Sequence, residues 1–340
     1  MTWLPLLLAD PSASLRYLVI RELMGRSERD PEVVELSSLR TNDPLVGELL
    51  ELQNPDGSWA TLGGARRSGR MNSTIYALSR LGYLGYGKEH PAVSRGAEFL
   101  FSRQEGDGSW PLGGYGIEEE RGYSMIPLQT ALPLKALAAC GYATDPRSER
   151  AYTWLIDRRL PEGVWPSGMA AGNYAGVAGY RRLAHSRWGC RTNTTGALEC
   201  LSLHPVRRGN DGTRRALDIL LGRETRERTH LGFEVARLLG QENIGGVLTH
   251  YARFDLAQIM NISWRVGASA TDERVEDLIS SVREMQGPQG LWQYIPGPHL
   301  SRWITFDILR SLSRLDRETE WISTEPRTPF RAYGRKEKRF

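Results

Sequence analysis

Apolar positions recur along this chain in two alternating styles. Met71 to Leu81, Ser124 to Ala139, Thr192 to Leu203, Asp255 to Val266 and Trp303 to Leu315 are rich in Ala, Leu and small polar residues around most of the helical circumference. A helix that is apolar all round is buried all round, so these are predicted inner helices. Pro91 to Ser102, Pro146 to Arg158, Gly212 to Gly222 and Asp272 to Gln286 alternate with them. Each carries charge on one face and apolar residues on the other, for example Val275, Leu278, Ile279 and Val282 at helical spacing. These are predicted outer helices. Ser12 to Leu23 and Pro44 to Leu52 supply a first pair, and short Gly, Pro or Asp turns join most partners. No segment alternates with the period of a strand. The expected fold is all-α and single-domain, a ring of about six helix hairpins over residues 1–316, followed by a basic tail over 317–340.

A repeat supports the ring. Gln53-Asn-Pro-Asp56-Gly57-Ser-Trp59 returns as Gln104-Glu-Gly-Asp107-Gly108-Ser-Trp110, then in worn form as Pro161-Glu-Gly-Val-Trp165 and Gln286-Gly-Pro-Gln-Gly290-Leu-Trp292. The tryptophans lie 51, 55 and 127 positions apart, so a period of about fifty residues has one degenerate copy expected between 205 and 250. Mechanically, the Asp caps the turn, the Gly permits positive φ, and the Trp folds back over the preceding helix end. The Gln at that helix end is placed to hydrogen-bond across to the next repeat.

Gln-x-x-x-Gly-x-Trp after successive outer helices resembles the QW motif of the terpenoid cyclase and protein prenyltransferase superfamily. The resemblance spans roughly residues 10 to 316 and is closest to small single-toroid, squalene-cyclase-like proteins. It implies an (α/α)6 toroid with an isoprenoid or other long apolar ligand in the central cavity, cyclised or transferred there if the protein is an enzyme. The superfamily's chemical signatures are absent: there is no Asp-x-Asp-Asp, Asp-Asp-x-x-Asp, Asp-x-Cys, Trp-Cys-x-Gly or thioester run. Fold does not carry mechanism with it.

Composition narrows the rest. The 340 residues include ten Trp and thirteen Tyr, enough to bury a core, and 36 Gly suit many tight turns. A net charge of +4 is too small to argue for nucleic acid. Three cysteines rule out a disulfide framework and predict a reducing, cytoplasmic compartment. The apolar run Trp3 to Ala9 is too short to span a membrane and lacks the basic start of a signal peptide.

Candidate chemistry sits on the predicted inner helices. Asp255 and Asp307 are placed near two helix starts, where apolar neighbours would raise a carboxyl pKa for general-acid work and where, equally, a carboxylate complements a helix N-terminus. Tyr76, Tyr123, Trp264, Trp303 and Phe306 form a candidate aromatic cavity lining, or simply core. Cys190, between Arg187 and Arg191, and Cys200 make a fallback zinc set with His250, against the commoner reading of inert buried thiols. No other cofactor is predicted. Arg181, Arg182, Arg187 and Arg191 form a basic stretch for an anionic partner or a solvated face, and the Gly-rich run from 167 to 180 reads as a loop capping one mouth of the ring. A non-catalytic scaffold for protein docking and a zinc-dependent transferase are the alternative functions.

Overall fold

Aspartate and proline begin several of the outer helices. Asp30, Asp43 and Asp145 each precede a proline, and each carboxylate accepts the backbone N–H two residues on, at 3.0, 3.1 and 2.8 Å. His90 does the same for Ala92 through Nδ1 at 3.3 Å. Proline at the first helical position lacks only an N–H that would have no partner there, and its fixed φ is already helical. The side chain then satisfies one of the remaining orphan donors.

The computed structural model describes residues 3–60, 69–110, 127–166, 183, 186, 188–222, 229–241 and 254–315. The helices are α1 (Trp3–Leu8), α2 (Ala13–Leu18), α3 (Pro31–Leu39), α4 (Pro44–Glu51), α5 (Gly69–Tyr83), α6 (Pro91–Phe101) and α7 (Pro127–Leu137). They continue with α8 (Pro146–Asp157), α9 (Arg191–Leu203), α10 (Asp211–Leu221), α11 (Phe233–Leu238), α12 (Leu256–Val266), α13 (Glu273–Glu284) and α14 (Ser301–Arg314). Among the described residues strand structure is limited to β1 (Thr229–His230) and β2 (Phe254–Asp255), which pair in parallel with Thr229 opposite Phe254. The fold is all-α, as the periodicity predicts, and the helix ends fall close to the predicted ones.

The inner layer runs α2, α5, α7, α9, α12 and α14. Packing links α5 to α7, α7 to α9, α9 to α12 and α12 to α14, while α14 packs on α1 and on the wide helical turn Val19–Leu23 that extends α2. Outer helices α6, α8, α10 and α13 each lie on the inner helix before them in the chain. Every residue of α7, and every residue of α9 but the last, is buried, which is why their sequences are mostly apolar or small around the helix, with Lys135 and Glu199 as exceptions.

The repeated turns share one geometry. The indole Nε1 of Trp59, Trp110, Trp165 and Trp292 donates to the carbonyls of Leu49, Leu100, Leu155 and Val282, at 2.6–2.7 Å, each ten residues upstream at the end of the preceding outer helix. The backbone N–H of each Trp donates to a threonine hydroxyl of an inner helix, Thr74, Thr130, Thr194 and Thr305. Gln53 Nε2 reaches Ala92 O at 2.8 Å and Gln104 Nε2 reaches Arg147 O at 2.9 Å, so each glutamine bonds to the start of the next outer helix. Asp56 and Asp107 accept the N–H and hydroxyl of Ser58 and Ser109. The Ser58 bonds hold the Asp56 carboxyl below its ordinary pKa. Gly108 has φ 93°, and a Cβ there would lie 2.7 Å from the Arg150 carbonyl of α8, so both conformation and space require glycine.

Between 205 and 250, where a degenerate copy is expected, the described residues are 205–222, which include α10, and 229–241, which form no Gln–Trp turn; the rest lies outside the described residues. Residues 229–241 leave the ring wall and enter its centre. All six residues of α11 are buried. Lys135 of α7 meets Glu234 at 2.7 Å, Arg80 Nε of α5 donates to Leu238 O at 2.8 Å, and Gly232 packs on Ile304 of α14. Within the 127-residue gap between Trp165 and Trp292, α11 is a septum across the lumen. Residues 223–228, 242–253 and the tail from 317 lie outside the described residues.

Candidate functional site

The septum leaves a cavity of about 260 Å³ toward the C-terminal ends of the inner helices. Its apolar wall comprises Tyr83, Ala139, Leu203, Val235, Leu238 and Trp264. Its polar wall holds four acids, Glu22, Glu199, Glu234 and Asp307, and four bases, Lys135, Arg265, Arg310 and Arg314. All but Arg265 form ion pairs, in two groups. Lys135 Nζ bridges Glu199 at 3.1 Å and Glu234 at 2.7 Å, and Arg237 holds Glu234 through both carboxylate oxygens. Across the cavity, Arg310 pairs with Asp307 and Glu22, Arg314 pairs with Glu22 at 2.9 Å, and Asn261 Nδ2 donates to both Asp307 oxygens at 3.1 and 3.2 Å.

Burial and the neighbouring Asp307 charge push the Tyr83 hydroxyl well above its ordinary pKa, so it stays protonated. Burial and the charge of Arg310 pull Arg265 down to about 10, which leaves it a cation at neutral pH. Its guanidinium lies 5.4 Å from the Trp264 ring centroid.

The two sequence candidates for a general acid separate. Asp307 is in the middle of α14, not at its start, and faces the cavity, where it pairs with Arg310 and accepts from Asn261. Asp255 is absent from the cavity wall. It caps α12 by accepting Ala257 N–H at 3.2 Å, and it clamps the entry to α11 by accepting Gly232 N–H and Glu234 N–H, both at 2.8 Å. The helix-capping alternative is the one its geometry matches.

Burial pushes Asp255 up to about 7, with the Glu234 charge adding and the three N–H bonds opposing. The folded chain therefore keeps a proton there between about pH 4 and pH 7 that the unfolded chain has released. Its contribution to stability is full below about pH 4 and is lost as pH rises through 7. Thermal unfolding at pH 5 and pH 8 should show a larger fall in midpoint for wild type than for Asp255→Asn; equal falls would remove Asp255 as the titrating group.

Of the aromatic set, Trp264 lines the cavity. Tyr76 is buried against Arg80 and hydrogen-bonded to its guanidinium, and Phe306 is fully buried beside Arg310. Trp303 tilts against Tyr83, 6.1 Å between centroids, and faces a separate groove of about 770 Å³ at the other end of the ring. These three are core or groove rather than cavity lining. Tyr123 and His250 lie outside the described residues, as do Arg181, Arg182, Arg187 and the loop from 167 to 180.

Of the zinc set, the two cysteines stand apart, and His250 lies outside the described residues. Cys190 caps the start of α9 and Cys200 lies ten residues along it, about 15 Å of helix rise away. Cys200 Sγ donates to Gly196 O and Ala197 O, and burial pushes its thiol pKa strongly up, the reverse of what a thiolate ligand needs. Among the described residues no three His, Cys, Asp or Glu side chains converge as metal ligands. Arg191 belongs to no solvated face: it is 1% exposed, with its guanidinium 5.3 Å from the Phe254 ring centroid.

The sequence reading missed Lys135, Glu199, Glu234, Gln258, Asn261 and Arg310. A signal existed for two of them: Lys135 and Glu199 are lone charges inside otherwise apolar inner segments, where an ion needs a partner across the lumen.

The architecture defines the class, an αα-toroid. Residues 32–182 match the family model of the squalene-hopene cyclase C-terminal domain. Lanosterol synthase of Candida albicans is 29% identical over 140 residues, 40% of this chain and 18% of that one. The squalene–hopene cyclase of Bradyrhizobium diazoefficiens is 29% identical over 124 residues, 35% of this chain and 18% of that one. The chain thus spans less than a fifth of the length of these curated relatives. A type II terpene cyclase structure from Scytonema aligns over 79% of this chain and 94% of its own, at 16% identity and a TM-score of 0.35, a remote likeness. The family match and the curated relatives make part of this chain similar to the terpenoid cyclases. No helix among the described residues is long and apolar enough to cross a membrane.

Proposed function

We propose that this protein binds an isoprenoid-type ligand in the cavity below the α11 septum. The observation that carries the reading is the apolar wall of Tyr83, Leu203, Val235, Leu238 and Trp264, enclosed by the inner helices. The relatives are named for lanosterol and squalene–hopene chemistry, which supports an isoprenoid as the apolar class. Binding comes ahead of cyclisation or transfer in this reading, because Asp307, the candidate acid in the wall, is neutralised by Arg310. Three free, buried cysteines support a cytoplasmic setting.

A second reading, a docking scaffold, has one observation in its favour: α11 fills much of the lumen that a long ligand would occupy. Native mass spectrometry with the C15 isoprenoid farnesol, together with tryptophan fluorescence, separates the two. The expected result is a one-to-one complex whose affinity falls about tenfold in Trp264→Ala, since removing the indole face loses about 1–2 kcal/mol of apolar contact. A bare protein mass at saturating farnesol would move the assignment to the scaffold.

A further inference from the structure

Five polar atoms in the wall of this one cavity have no hydrogen-bond partner among the described residues: the Tyr83 hydroxyl, Gln258 Nε2, Asn261 Oδ1, Trp264 Nε1 and Arg310 Nε. Gln258, Asn261 and Arg310 are 5%, 8% and 5% exposed, so bulk water does not serve them. Unmet buried donors and acceptors are costly, and most polar groups in a folded interior are paired. Four donors and one acceptor grouped in one wall are a seat for a hydrogen-bonding group that the described residues do not supply.

The charges of the wall define that group. Acids and bases are equal in number there, and Arg310 and Arg314 are already engaged by Asp307 and Glu22. A diphosphate would bring several negative charges beside four carboxylates, while among the described residues only Arg265 of the wall's four cations stands outside an ion pair, so the other three would have to leave theirs. A hydroxyl or carbonyl needs only the unpartnered atoms: an oxygen can accept from Gln258 and Tyr83, and a hydroxyl proton can be given to Asn261 Oδ1.

We infer that the ligand is an isoprenoid with an uncharged oxygen head group, an alcohol or carbonyl compound, seated on Tyr83, Gln258 and Asn261 and not a prenyl diphosphate. The inference rests on the reading that the cavity holds an apolar ligand, and its test keeps the two apart. Farnesol, farnesyl diphosphate and the hydrocarbon farnesene share a C15 body and differ at the head. Affinities for the full chain are measured by tryptophan fluorescence and checked by native mass spectrometry.

The expected order is farnesol about tenfold tighter than either of the others, the effect of one well-made set of neutral hydrogen bonds. Tyr83→Phe and Gln258→Met should each bring farnesol down toward the farnesene level. Both should melt no lower than wild type, because each removes a polar atom with no partner among the described residues. Farnesyl diphosphate equal to or tighter than farnesol overturns the uncharged head group and leaves the apolar reading standing. Farnesene equal to farnesol overturns the polar seat alone. Unchanged farnesol affinity in both variants, or a melting point several degrees lower in both, also overturns it, since these groups would then serve something else or the fold. Failure of all three compounds to bind removes the cavity reading itself.

Discussion

Trp110→Ala should be among the most destabilising single substitutions in this chain, with a loss of about 3–5 kcal/mol in denaturant unfolding. The indole is fully buried, and its Nε1 donates at 2.7 Å to the Leu100 carbonyl at the end of α6, which also accepts the Arg103 N–H at 3.0 Å. Its removal leaves a large void between two repeats and takes away one of that carbonyl's two donors. Trp110→Phe restores most of the volume but no donor, so it should recover more than half of the loss. A Trp110→Ala protein within about 1 kcal/mol of wild type would show that the turns ride on the ring without holding it. Nearest-neighbour stacking gives a further expectation, that Trp59→Ala and Trp110→Ala combined cost more than one repeat can lose while the chain still folds cooperatively.

How much of this was legible beforehand depends on whether a feature repeats. The turn roles of Gln104, Asp107, Gly108 and Trp110 were readable because the pattern recurs, and each copy constrains the reading of the others. Helix type was readable because burial on one side or on all sides leaves different periodicities, as α9 and α13 show. The septum was not readable by that route. Residues 229–241 occur once, and α11 is six residues long, too short for periodicity to distinguish a buried helix from a worn repeat. The cavity chemistry was hidden for a related reason. Lys135, Glu199 and Glu234 are separated by 64 and 35 positions, and only ring closure brings them within 3.1 Å. Asp255 and Asp307 looked alike in sequence, each following a phenylalanine. One precedes its helix and caps it, while the other falls two turns inside, and a shift of the helix start from Trp303 to Ser301 adds to the difference.

That ionic joint is the basis of the second large effect. Lys135→Met should lower stability by about 3–5 kcal/mol, the range for breaking a buried ion pair by deleting one member. The volume is nearly conserved, so the loss is electrostatic in origin. Glu199 and Glu234, both bonded to the lost ammonium, are left facing one another with Arg237 compensating only Glu234. Lys135→Met combined with Glu199→Gln removes the uncompensated carboxylate while Glu234 keeps Arg237. The double variant should therefore regain about 1–2 kcal/mol over Lys135→Met, a coupling that a double-mutant cycle in chemical denaturation measures directly. If the two substitutions were instead additive, Lys135 would be holding α11 through Glu234 alone, and the α7–α9 side of the joint would contribute packing without charge. Either result locates the attachment of the septum, and with it the wall that sets the size of the cavity.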